Sequence, residues 1–217
     1  RLAAAKAAEF AIQVRDELGI CFRVINLGGG FGIRYTAEDK PLPAATYVQA
    51  IADAVRTNFT AAQYPLPEIW IEPGRSIIGD AGTTLYTVGT TKDIPGVRKY
   101  VAVDGGMTDN PRPALYGSKY EAVLANRANE PATETVSIAG KCCESGDMLI
   151  WDIELPAVKP GDLLAVFCTG AYNYAMSSNY NRIPRPAVVF VKDGEATLVV
   201  GRETYEDIVG NDLLPER

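Results

Sequence analysis

Histidine is absent from this chain of 217 residues. That absence excludes Ser-His-Asp and Cys-His catalysis. The four cysteines, Cys21, Cys142, Cys143 and Cys168, show no zinc-like pair spacing, and no imidazole is available to complete a metal site. They are also too few for a disulfide scaffold at this length, so reduced thiols in a cytoplasm are expected. Basic residues are the minority: 21 Lys and Arg stand against 27 Asp and Glu, a net charge of −6. Without a basic cluster, neither nucleic acid nor an anionic membrane surface is an expected partner. No apolar run approaches the length that spans a bilayer. No signal peptide is visible; the chain opens at Arg1 rather than Met, and a missing beginning is the expected reason. Internal repeats, charge blocks and low-complexity linkers are also lacking.

What is present suits one large domain or two small ones. Apolar residues make up 47%, enough for a substantial core. The chain opens with an Ala-rich helix in which Phe10, Val14 and Leu18 recur at helical spacing and Gly19 supplies the stop. Ile20 to Leu27 reads as a strand apolar on both faces, which fits a buried parallel strand. A second helix is predicted over 46–58, with Tyr47, Ile51, Ala54 and Val55 on one face. Ile69-Trp70-Ile71 forms the next strand. Polar and Gly motifs follow both strands, at the end where α/β folds bind ligands. Beyond about Gly79 the pattern turns to short strands, over 83–92, 99–103, 135–139, 148–155 and 163–167. A hairpin is signalled by Lys192-Asp193-Gly194-Glu195 between 188–191 and 196–200. Glu203 to Leu214 is predicted to hold a short helix. The expected architecture is α/β plus all-β: residues 1–79 form an incomplete β/α barrel, and 80–217 form an antiparallel β-barrel domain whose last segment returns toward it. Two strands cannot close a barrel, so the rest is expected from upstream sequence or another chain.

Several motifs can carry chemistry, and each has a plainer reading. In Gly28-Gly29-Gly30-Phe31-Gly32 the backbone N–H groups can approach an anion closely; alone it reads as a tight βα turn. Glu72-Pro73-Gly74-Arg75 can offer backbone donors to phosphate, a fixed cation, and a carboxylate for a ring nitrogen; a surface Glu72–Arg75 ion pair fits equally well. Arg112 lies between two prolines and ahead of Tyr116, suited to aiming a guanidinium at a carboxylate, or simply in a loop. Tyr172 can donate to a phosphate or be a buried structural tyrosine. Met176 to Asn181 suits a loop lining a site. Cys143 beside Glu144 can be an acid kept protonated by its neighbour, or a small buried residue. In an extended segment only one of Cys142 and Cys143 would face a site.

The order of these motifs is more specific than any one of them. Gly-Gly-Gly-Phe-Gly, Glu-Pro-Gly-Arg-Ser, Asp104-Gly105-Gly106-Met107, Arg112 to Gly117, Cys143-Glu144-Ser145-Gly146-Asp147, Gly170-Ala171-Tyr172 and Met176 to Asn181 together resemble the diaminopimelate decarboxylase family. The resemblance runs from about Val24 to Glu206. It implies an alanine-racemase-like fold, a β/α barrel followed by a β-domain, and pyridoxal 5′-phosphate-dependent conversion of meso-2,6-diaminopimelate to L-lysine and CO2. By motif, it implies that Gly30, supported by Gly29, and the turn of Glu72, Pro73, Gly74 and Arg75 hold the cofactor phosphate, with Glu72 at the pyridine nitrogen. Arg75, Arg112 and Tyr116 would bind substrate carboxylates, Glu144 the distal amine, and Tyr172 both cofactor and substrate. Cys143 would be the proton donor, reaching into the neighbouring subunit's site of an obligate cytoplasmic homodimer.

The chain departs from the family pattern at two points. The cofactor-anchoring lysine has no counterpart, since Lys6 lies in the Ala-rich helix and the other lysines fit no better, and the ring-stacking histidine is absent. Both fit a missing N-terminal half, and this chain alone is expected to be inactive. Rival readings are an ornithine, arginine or carboxynorspermidine decarboxylase of the same fold, a non-catalytic remnant, and a split enzyme. Ornithine-type relatives carry aspartate after the cysteine, so Glu144 favours diaminopimelate.

Overall fold

Alanine rather than phenylalanine decides how the first helix packs. The structure is a computed structural model that describes residues 1–215, in two units, Arg1–Gly79 and Asp80 onward. In the first unit, α1 (Leu2–Leu18) ends at Gly19 in the left-handed region, φ 70°, a conformation that glycine adopts without a Cβ penalty. Its buried stripe is Ala4, Ala8 and Ala11, at i, i+4 and i+7. Phe10 and Leu18, expected on the packed face, are 62% and 67% exposed. Small side chains let the second helix approach closely, and Phe10 instead stacks on Phe22 at 6.4 Å.

That second helix, α2 (Ala44–Ala61), extends beyond the expected 46–58 at both ends and buries Val55 and Phe59. With Ile25 and Tyr64 they complete the core of this unit. The Tyr64 hydroxyl accepts from the Phe22 N–H at 2.6 Å, which satisfies a polar atom beside the core. The first strand is shorter than its apolar run and the second begins one residue earlier than expected: β1 (Val24–Asn26) pairs in parallel with β2 (Glu68–Trp70). A strand extends only as far as its ladder, and three residues on each side are all that pair here. A short helix, α3 (Arg75–Ile78), follows β2.

The second unit holds β3 (Thr83–Ile94), β4 (Arg98–Val103), α4 (Arg112–Tyr116), β5 (Ala122–Leu124), β6 (Glu134–Ala139), β7 (Met148–Leu155), β8 (Leu163–Phe167), β9 (Val188–Lys192), β10 (Glu195–Val200) and α5 (Tyr205–Val209). Six strands form one sheet in the order β5-β8-β3-β4-β6-β7. The sheet is mixed rather than antiparallel, because β4 and β6 run parallel, Tyr100 opposite Ser137. After β4 the chain does not turn back as a hairpin. It runs through 104–133, carrying α4 and β5, and returns in the original direction, as a parallel pair requires. The edge strands β5 and β7 come within 8 Å between Cα atoms but share no ladder, so the sheet is nearly closed. Leu124, Val136, Ile138, Leu164, Val166 and Val101 fill its interior at 1% exposure or less.

The expected hairpin forms as its own two-stranded sheet. Asp193 and Gly194 have φ 53° and 81°, the pair of positive angles that a two-residue primed turn needs. The final helix is shorter than expected. It starts at a reciprocal capping box between Thr204 and Asp207 and ends before Gly210. Among the described residues, no helix is long and apolar enough to cross a membrane.

Candidate active-site residues

In the first unit, the Gly-rich loop and the Glu-Pro-Gly-Arg turn leave the C-terminal ends of β1 and β2 side by side. Backbone bonds fasten them: Leu27 N–H donates to Trp70 O at 3.0 Å, and Glu72 N–H to Gly28 O at 2.7 Å. A Cβ on Gly29 would lie 2.2 Å from the Glu72 carbonyl oxygen, so only glycine fits there. Gly28 and Gly30 have φ 70° and 86°, which turns the chain into a tight, exposed loop. No acceptor among the described residues meets the N–H groups of Gly29 and Gly30. Exposed, unspent N–H groups in a left-handed turn are what an anionic phosphate requires.

Asn26 organises the same loop. Its Oδ1 accepts from the Gly28 N–H at 2.9 Å, and its Nδ2 donates to Glu72 Oε1 at 2.6 Å. One side chain thus shapes the glycine turn and fixes the Glu72 carboxylate. The Arg75 guanidinium lies over the Tyr35 ring at 5.8 Å. Gly74 departs from its expected role as a phosphate donor: its N–H is already given to Glu72 O at 3.0 Å. Pro73 and Gly74 fold the turn back on itself, and Gly74 is the N-cap of α3.

In the second unit, Arg112 opens α4 rather than sitting in a loop. Pro113 is tolerated in the first helical turn, where its missing N–H is not needed, and Gly117 ends the helix at φ 60°. Arg112 is buried, with Nε donating to the Tyr120 hydroxyl at 2.9 Å and Nη2 to Ser118 Oγ at 3.1 Å. Its carbon Cζ lies 5.4 Å from the Tyr172 ring centre and 5.7 Å from that of Tyr116. Three of the expected substrate-binding residues are therefore brought together. Tyr172 is not buried: it is 40% exposed with a left-handed φ of 69°, a backbone conformation rare for a bulky residue and retained where surrounding contacts hold it.

The Cys143–Glu144 segment is built on Asp147. The two oxygens of this buried carboxylate accept from Met107 N–H at 2.6 Å and Cys142 N–H at 2.8 Å. Gly106 and Gly140 press against it so closely that a Cβ on either would collide with it. The segment is a chain of bends rather than an extended strand, so simple alternation does not set its side-chain directions. Cys143 is exposed and Cys142 is turned partly inward. Burial and then the Asp147 charge push the Cys142 thiol up to about 11. Cys143 Sγ lies 3.6 Å from Glu144 Oε1, and the Tyr180 hydroxyl donates to the same oxygen. That bond holds the Glu144 carboxyl below the usual range.

Sequence reasoning missed the residues that hold these groups in place. Tyr180 stood only within a polar, aromatic loop, and Asp147 only as the end of a motif. Tyr120 and Ser118 carried no signal. Asn26 could have been found, since an Asn two residues before a glycine turn is the pattern of an Asx-turn.

Residues 16–170 match the model of the pyridoxal-dependent decarboxylase C-terminal sheet domain. Diaminopimelate decarboxylase of Bacillus subtilis is 68% identical over 212 residues, covering 98% of this chain and 48% of that protein. The enzyme of Staphylococcus aureus is 49% identical over 208 residues, 95% of this chain and 49% of its own length. A solved diaminopimelate decarboxylase from M. jannaschii, in complex with L-lysine, superimposes with a TM-score of 0.87 at 36% identity, covering 98% of this chain and 48% of that one. The chain spans about half the length of the curated relatives it matches. With a family match across most of its length, beginning before the Gly-rich loop and extending past Cys143 and Glu144, this chain belongs to the pyridoxal-dependent decarboxylase family.

Proposed function

We propose that the intact protein carrying this chain decarboxylates meso-2,6-diaminopimelate to L-lysine and CO2. The observation that carries this reading is the exposed thiol of Cys143 against the Glu144 carboxylate, in a chain 68% identical to a diaminopimelate decarboxylase over nearly its whole length. The L-lysine complex of the M. jannaschii relative is consistent with lysine as product.

The residues fit pyridoxal 5′-phosphate. Gly29 and Gly30 N–H groups would hold its phosphate, with Pro73, Gly74 and Arg75 forming the adjoining turn. Glu72, held by Asn26, would face the ring nitrogen, and Tyr172 would contact cofactor and substrate. The cofactor supplies an electron sink for the pair left when CO2 departs. Arg112, braced by Tyr120 and Ser118, would bind a substrate carboxylate together with Tyr116 and Arg75. A guanidinium with its planar fork is suited to that task. Glu144, kept anionic by Tyr180, would bind the distal amine. Cys143 would deliver the proton from Sγ to the substrate Cα. The working unit would be a cytoplasmic homodimer in which Cys143 and Glu144 serve the partner's site. The barrel would be completed by sequence outside this chain.

The test is turnover by the intact enzyme, as the full gene product or as a hybrid in which this chain replaces the matching segment of the Bacillus subtilis relative. Cys143→Ala is expected to lower kcat by about 10²–10⁴-fold, the usual worth of a general acid, with lysine still bound. Diaminopimelate should be turned over in preference to ornithine, arginine and carboxynorspermidine. Unchanged turnover in Cys143→Ala, or preference for a substrate with one amino-acid centre, overturns the proposal.

A further inference from the structure

Glu144 has two unlike oxygens. Oε1 receives the Tyr180 hydroxyl and faces Cys143 Sγ at 3.6 Å. Oε2 is shielded from solvent and meets no partner among the described residues. An anionic oxygen in that state costs free energy unless a donor arrives. The Tyr180 hydroxyl, the Glu144 N–H and the Cys143 thiol all bond this carboxylate, the Tyr180 bond having the largest effect on its titration.

The backbone around Tyr180 is held in an uncommon shape. The next two residues, Asn181 and Arg182, both lie in the left-handed region, at φ 54° and 55°. Consecutive non-glycine residues there are strained and persist only where neighbouring contacts fix them. Those contacts are present. Asn179 Nδ2 donates to Glu203 Oε2 at 2.6 Å and to Ile183 O at 3.1 Å, and the Arg182 guanidinium is clamped to Asp212. Ser178 N–H donates to Thr108 O at 2.8 Å, and the Asn181 side chain meets the Cys142 thiol. The turn is fixed on both sides of Tyr180, while the phenol itself is half exposed and has Glu144 as its hydrogen-bond partner.

We propose that Tyr180 is a positioning residue for substrate recognition: its phenol pins Glu144 Oε1 and so sets the orientation in which the carboxylate meets the distal ammonium of the substrate. This rests on the reading of Glu144 given above. Tyr180 acts through Glu144, so its effect is expected on binding.

The experiment is a double-mutant cycle in the intact enzyme, reading KM and kcat for diaminopimelate. Tyr180→Phe removes one oxygen from a half-exposed ring and keeps the packing. It is expected to raise KM about 10-fold while kcat changes less than about 3-fold, the pattern of lost uniform binding. Glu144→Gln raises KM by at least as much, and adding Tyr180→Phe to it changes KM by less than about 2-fold, because the two side chains act as one unit. An unchanged KM in Tyr180→Phe beside a raised KM in Glu144→Gln overturns the role of Tyr180 alone. Equal KM effects of Tyr180→Phe in both backgrounds show a loop prop and also overturn it. An unchanged KM in Glu144→Gln removes the amine-recognition reading, and the Tyr180 proposal falls with it.

Discussion

Glu203 shows how far one half-buried carboxylate can be bound by its neighbours. It accepts the Arg185 N–H at 2.8 Å, the Asn179 amide at 2.6 Å and the Arg185 Nε at 2.7 Å. These bonds, the backbone one foremost, push its carboxyl down to about 2. An unfolded Glu titrates near ~4.3, so the folded value is the lower one. The stabilisation is fully present above that pH and is lost as pH falls toward 2. Amide exchange at Arg185 is expected to accelerate through that window, and Glu203→Gln is expected to remove the pH dependence. A second residue-scale prediction concerns the thiols. With Cys142 pushed up to about 11 and Cys143 exposed, iodoacetamide at pH 8 is expected to label Cys143 well before Cys142, as read by peptide mass mapping. At this scale the sequence was informative where chemistry is unusual. A triple glycine after a strand, or a thiol beside a carboxylate, stands out in one dimension. Tyr120 and Ser118, which hold Arg112, and Tyr180, 36 positions from Glu144, are ordinary residues whose roles exist only once the chain has folded.

Elements were legible in their existence more than in their faces. Both long helices of the first unit and the β9–β10 hairpin follow from periodicity and turn chemistry. The packed face of α1 did not, because a hydrophobic pattern gives most weight to Phe10 and Leu18 when close helix approach selects Ala4, Ala8 and Ala11. Phe59 is fully buried beside that stripe. Phe59→Ala is therefore expected to cost about 3–5 kcal/mol in urea unfolding, and Phe10→Ser less than about 1 kcal/mol, as for an exposed site. In the second unit the strands were visible but their order was not. Neighbouring strands pair through backbone groups that every sequence shares, so nothing in Arg98–Val103 or Glu134–Ala139 announces a parallel partner. The helix at Arg112–Tyr116 was hidden by its prolines, which suggest a loop until the N-terminal position of Pro113 is known.

The first unit holds two lysines, Lys6 and Lys40. Lys6 is exposed and paired with Glu9 at 2.7 Å. The chain incubated alone with pyridoxal phosphate and reduced with borohydride is expected to carry no stoichiometric pyridoxyl group on any lysine, and to show no decarboxylation; a specific adduct detected by intact mass would refute this. Two parallel strands offer open edges on both sides, which agrees with relatives about twice as long. The parallel pairing of β4 with β6 has a kinetic counterpart. The whole of 104–133, including the Arg112 helix, must be made and looped out before β6 can dock, and loops of that kind delay folding because their entropy is spent before any contact rewards it. The guanidinium that would grip the substrate is thus completed late: a nascent polypeptide halted before Ala139 would own the arginine with Tyr120 and Ser118, but not the Tyr172 ring beside it.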